Sequence, residues 1–159
     1  MKKLSKTIDK INKIAGIVTA FSIFILLILV SWGVFSRYVL RSPSHIALEV
    51  SGYLMVLLSF LGAGYIHMQN KHVKIEVLTS KLPEKFKKIH SLTVHLLLLV
   101  FSVIVIYEGI DYVILAFNEN YRSTSLLNFP LWMVFLAIPV GMLLFLLQVI
   151  RNIFLLIKK

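Results

Sequence analysis

The polar and apolar positions of this chain fall into long blocks, not short alternations. Four apolar blocks run from Ile14 to Val39, Ile46 to Ile66, Leu92 to Phe117 and Leu131 to Ile157. Each is near or above the roughly 20 residues that an α-helix needs to cross a bilayer core. Runs such as FILLILV and LLLLVFSVIVI show no period-two alternation, which argues against the strands of a membrane barrel. A backbone surrounded by hydrocarbon has to pair its amides within each segment, so the blocks read as helices. The pattern predicts an all-α integral membrane protein: one membrane domain over residues 1–159, with four transmembrane helices.

The polar links between the blocks set the connections. Leu40 to His45 holds Pro43 and two serines, a tight turn that makes spans one and two a hairpin. The second link, HVKIEVLTSKLPEKFKKIH, places Phe86 and Ile89 three apart with lysines between them, after Pro83. Proline suits a first helical residue, so a short interfacial helix is predicted here, its apolar side (Leu82, Phe86, Ile89) turned into the membrane. The third link, NENYRSTSLLNFP, ends in Asn128 and Pro130, a cap and a first-turn proline. Inside span four, Pro139 removes one backbone bond and crowds the carbonyl of Phe135, which predicts a kink.

Composition agrees with this reading. Of the 159 residues 58% are hydrophobic and only 15% charged, against roughly a quarter charged in soluble domains. No cysteine is present, which removes disulfide frameworks, thiolate metal sites and thiol redox chemistry. The formal charge of +10 is unevenly spread: only Arg37, Arg41 and Arg122 of the 17 Lys and Arg lie outside the amino-terminal segment, the second link and the carboxyl-terminal end. The positive-inside rule then puts both termini and the second link in the cytoplasm. Attraction to anionic lipid headgroups explains these scattered cations better than nucleic acid does. The basic start MKKLSK resembles a signal-peptide n-region, but the following apolar run is too long and lacks a small-x-small site, so it reads as an uncleaved span.

Several polar residues inside the blocks are candidates for a role. Arg37 closes span one and Glu49 opens span two. A charge at mid-membrane costs about 2.5–3.5 kcal/mol, so these two are expected to pair with each other or with a partner; the alternative is that Arg37 snorkels to headgroups alone. Gly52, Ser59 and Ala63, widened by Gly62 and Gly64, form a small-residue surface of the kind that lets helices approach closely in lipid. His95, Ser102 and Gly109 make a second seam at intervals of seven. On the other side of span three, Glu108 and Asp111 lie roughly 24 and 28 Å from its inner end at 1.5 Å per residue. That depth fits an outer rim, balanced by Arg122 or by a partner, better than a central proton-carrying acid. Gln148 and Asn152 sit one turn apart near the inner end of span four.

His67 and His95 fall at similar depth, and two imidazoles could hold a b-type haem. This leaves a cytochrome or membrane-anchor subunit as an alternative, and a small proton-coupled exporter as a third reading. No nucleophile–base pair, metal-ligand spacing or phosphate loop appears, so neither an enzyme, nor a cofactor, nor a metal site is expected.

Taken in order, several stretches resemble the small membrane subunit of tripartite ATP-independent periplasmic (TRAP) transporters, the DctQ-like family. These are Arg37–Tyr38, then Glu49, FLGAGY, HVKIEVL with His72, KLP, and SLLNFPLWMVFLAIPVGMLL with Pro130, Trp132, Pro139 and Gly141. The chain carries Ile46 where family members often have tryptophan, Leu48 where a second acid is common, and Glu76 in place of aspartate. The resemblance implies a multi-pass protein of the bacterial inner membrane. It also implies a large membrane subunit as partner and a periplasmic binding protein that delivers an organic acid of the C4-dicarboxylate or sialic acid class. Transport would typically be coupled to sodium, with the small subunit bracing the large one. Four helices with no internal repeat and no mid-depth polar cluster lack the usual parts of an alternating-access site, which agrees with a bracing role.

Overall fold

A computed structural model describes residues 2–69 and 83–157. Among the described residues five helical segments occur in the order α1 (Lys2–Tyr38), α2 (His45–Met68), α3 (Glu84–Asn118), α4 (Leu131–Phe135) and α5 (Ala137–Ile157). Four helices are long and apolar enough to cross a membrane, the fourth being α4 and α5 taken together over Leu131–Leu156. The predicted spans are therefore present, but α1 and α3 outrun them. At 37 and 35 residues each is roughly 50–55 Å long, against a hydrocarbon core of about 30 Å.

The extra length of α3 corrects one expectation. Glu84–His90 is not set apart as a short helix of its own but forms the opening turns of α3. Nothing in Phe86–Ile89 stops a helix that continues into the apolar block, so propagation wins over a separate element. Leu82 and His72 lie outside the described residues. Both prolines that were expected to open helices sit one place earlier, as the N-caps Pro83 and Pro130. Asn128 is not a cap: it takes a positive φ of 45° in the loop.

The α1–α2 hairpin is closed by local bonds. Ser44 caps α2 by accepting from the Ala47 amide at 3.3 Å, and the Ser36 hydroxyl donates to the Ser42 carbonyl. Arg41 turns the chain with φ 52°. In span four the helix breaks at Leu136, between α4 and α5. Pro139 follows three residues later and has no amide hydrogen to give the Phe135 carbonyl, which is the break that its position predicts.

α5 is the hub. It packs against α2, α3 and α1, whereas α1 packs chiefly on α2, and α3 chiefly on α5 and α4, with His95 reaching His67 of α2. The spans thus run in a row, α1–α2–α5–α3, with α1 and α3 at the edges. The apolar centre is Met142, Phe145 and Val149 of α5, surrounded by Phe60 and Ala63 of α2 and Leu98, Leu99, Val105 and Ile106 of α3. Close crossing makes this possible. A side chain at Gly141 would meet the Phe60 backbone at 2.5 Å, so α2 and α5 touch nearly backbone to backbone. Gly109 of α3 is likewise fitted to Pro139, whose Cδ lies 3.2 Å from where a Cβ would stand.

Outside this centre the usual burial order is inverted. Fully or nearly buried positions include Asn12, Ser51, His67, Ser102, Gln148 and Asn152, while Ile17, Phe21, Leu97 and Phe117 are exposed. Hydrocarbon solvates apolar side chains as well as a protein interior does, so polar groups turn inward and apolar ones outward.

Candidate functional site

The polar side chains gather at the two ends of the row. At the hairpin end, the loop between α3 and α4 folds back on itself: Ser123 N–H donates to Phe129 O at 2.9 Å, and Leu131 N–H to Tyr121 O at 3.0 Å. Arg122 and Pro130 form an isolated antiparallel bridge. Within this loop the Ser125 amide donates to the Ser123 hydroxyl, and the Leu127 amide to the Ser125 hydroxyl, both at 3.1 Å. The loop is fastened to α2 by Glu49, whose carboxylate accepts from the Ser125 hydroxyl and from the Tyr53 hydroxyl one turn on. Tyr53 also stacks on Phe129, ring centroids 5.5 Å apart. A carboxylate accepting from two hydroxyls makes charge-assisted bonds, roughly twice as strong as neutral ones.

This arrangement corrects the expected Arg37–Glu49 pair. The two charges lie on opposite sides of α2. Glu49 and Tyr53 face the loop with Ser123 and Ser125, while Arg37 stands beside Ala47, Leu48 and Ser51 on the α1 side. Positions 47 and 51 are half a turn away from 49 on a helix of 3.6 residues per turn, which is why proximity in sequence did not bring the pair together. Arg122 is also not the balance for Glu108 and Asp111. Its Nε donates to Asn120 Oδ1 at 3.3 Å and an Nη to Asn128 O at 3.5 Å. Glu108 and Asp111 are exposed on α3, at positions facing away from the Ser102–Gly109–Ala116 line that meets α5.

At the opposite end, where α1 begins and α5 finishes, the polar groups are buried or half-buried between helices. Arg151 Nη2 binds Asp9 Oδ2 at 2.9 Å. One turn deeper, Asn12 Nδ2 donates to Gln148 Oε1 at 3.2 Å, both residues being 0% exposed. Asn12 also presses on Gly64, where any larger residue would collide with its Oδ1. The pair is only half satisfied: Asn12 Oδ1 and Gln148 Nε2 have no partner among the described residues. His67 is buried beside His95 and Phe145, ring centroids 5.4 and 5.1 Å away, and His95 Nδ1 binds Ser91 O at 2.7 Å. The imidazoles pack against each other, joining α2 to α3. Among the described residues no group of three or more His, Cys, Asp or Glu could hold a metal ion.

The small-residue surface divides. A Cβ at Gly62 would stand 3.1 Å from Thr19 of α1 and one at Gly64 would run into Asn12 and Leu144, while a side chain at Gly52 would meet nothing within 4 Å. Ser59 is exposed and donates to Met55 O at 2.8 Å. Trp132 sits edge-on to Phe117, centroids 5.7 Å apart, joining α4 to the end of α3. Asp9, Asn12, Tyr53 and Ser125 were not singled out from the sequence. The repeat of apolar residues at Leu4, Ile8, Ile11 and Ala15 is a helical signal that extends α1 through Asp9 and Asn12; no comparable pattern marks Ser125.

Residues 6–159 match the model of a family described as tripartite ATP-independent periplasmic transporters, DctQ component. The chain is 24% identical over 138 residues to the ectoine TRAP transporter small permease protein TeaB of Halomonas elongata, covering 86% of this chain and 71% of that protein. It is 40% identical over 73 residues to a protein of Haemophilus influenzae named as a TRAP transporter small permease protein, covering 46% of this chain and 45% of that one.

Proposed function

Because the chain belongs to the DctQ component family of tripartite ATP-independent periplasmic transporters, we propose that it braces the large membrane subunit of such a transporter and carries no solute itself. The observation that supports this most directly is the placement of polar groups. Most of them lie toward the two ends of the spans, and the polar residues buried between, Ser22 and Ser102, spend their hydroxyls on the Val18 and Leu98 carbonyls of their own helices. A solute pathway needs polar groups near the bilayer midplane. A brace needs rigid helices with apolar faces left over, and α1 and α3 supply those at the two edges.

In this proposal a periplasmic binding protein delivers an organic acid of the C4-dicarboxylate or sialic acid class, and uptake runs on a sodium gradient. The chain lies in the bacterial inner membrane with both termini cytoplasmic, as its lysines favour. The opening turns of α3 then lie at the cytoplasmic interface, where Lys87 reaches lipid phosphates. Co-purification with the product of an adjacent large-permease gene, followed by reconstitution, tests the reading. Vesicles with both subunits and the binding protein should accumulate solute under a sodium gradient. Vesicles holding this chain alone should not, and accumulation there would overturn the proposal.

A further inference from the structure

At the hairpin end an open groove runs between α1 and α2, lined by Leu29, Val30, Gly33, Val34, Arg37 and Leu48. Its volume is about 150 Å³, below the roughly 300–1,000 Å³ of pockets that enclose small molecules. The floor exists because Gly33 has no side chain: a Cβ there would meet nothing within 4 Å. Val30, Val34 and Leu48 are exposed along the rim. The groove therefore offers an apolar strip one chain wide, with a single cation at its mouth.

That cation has no counter-charge paired with it among the described residues. Glu49 is turned to the other side of α2 and held by Tyr53 and Ser125. Among the described residues Arg37 makes no ion pair. It stands one residue before the end of α1, where a membrane span meets the headgroups. A guanidinium is a planar fork that matches phosphate oxygens two at a time. We infer that this groove is a phospholipid site, with one acyl chain along Gly33 and the headgroup phosphodiester on Arg37. The inference rests on the groove and its charge, and holds whichever side of the membrane the hairpin faces.

The test uses the full chain, purified in mild detergent, stripped of lipid and titrated with single lipids in native mass spectrometry. Phosphatidylglycerol and phosphatidylethanolamine should bind about tenfold more tightly than diacylglycerol with the same chains, a difference of one charge-assisted phosphate contact. Arg37→Gln should bring both phospholipids down to the diacylglycerol level, and Arg37→Lys should recover part of the loss. Gly33→Leu, which fills open space and leaves helix packing untouched, should weaken all three lipids. Equal binding of diacylglycerol and phospholipid, or phospholipid binding that survives both Arg37→Gln and Gly33→Leu, would overturn the site. So would a photo-cross-linker at Val34 that, in native membranes, captures protein and not lipid, because the groove would then belong to a neighbouring helix.

Discussion

The two ends of the helix row are held by different means. Where α1 begins and α5 finishes, helices distant in sequence are locked side chain to side chain: Asp9 to Arg151 and Asn12 to Gln148, with Gly64 pressed against Asn12. At the hairpin end no such helix-to-helix bond is made among the described residues; Glu49 instead pins a loop through Ser125, and the α1–α2 groove stays open. One end fixes the order of the helices, and the other fixes only a loop upon them. In the bracing role proposed above, that division would supply one rigid end and one adaptable end.

The largest effect should come at the crossing that both ends depend on. Gly141→Ala places a methyl against the Phe60 backbone and should destabilise the chain by about 3 kcal/mol, read as a lower midpoint in denaturant titration of the protein in micelles. Next, Gln148→Leu leaves one N–H of the buried Asn12 amide unpaired, the other still donating to Ile8 O, and should cost about 2 kcal/mol. The double change Asn12→Leu with Gln148→Leu should cost less than Gln148→Leu alone, since no orphaned amide remains; a double-mutant cycle measures this. If the double is worse than either single, the pair stabilises the locked end in its own right, beyond setting helix order.

Smaller effects belong to the hairpin end. Glu49→Gln should cost about 1 kcal/mol and speed amide hydrogen exchange across residues 121–129, with no change around Asn12. Equal loosening at both ends would dissolve the contrast drawn here. The smallest effect is expected at Gly52→Ala, which meets nothing within 4 Å and should leave the midpoint of the isolated chain unmoved. The same variant sharpens the comparison in the complex: a fall in co-purified large subunit would place a partner helix on that open face of α2.

Much of this was legible in the sequence because hydrocarbon imposes it. Long apolar blocks must be helices, and Pro139 must interrupt one. Gln148 and Asn152, one turn apart in an apolar run, had to turn inward. Sequence distance failed where helical phase decides. Arg37 and Glu49 looked like partners across a short hairpin, yet the half-turn between Glu49 and Ala47 separates them. Gly52 and Gly64 looked alike until one was seen open and the other filled by Asn12. Ser125 could not be recognised at all, since a loop hydroxyl reaches Glu49 only through a fold-back that no periodicity records. The amino-terminal lysines hid Asp9 and Asn12, because a basic flank reads as a topology signal before it reads as a helix.

The hub of the row follows the three other spans along the chain. As the ribosome feeds the chain into the bilayer, the first three spans arrive before the segment that all of them grip. Until then α1 and α2 have chiefly each other, and α3 has little beyond His95 against His67 and Phe117 against Trp132. Assembly must wait for that segment to be made, so a nascent chain cut short before Ala137 would leave its edge helix loosely held in lipid, an easy mark for membrane proteases.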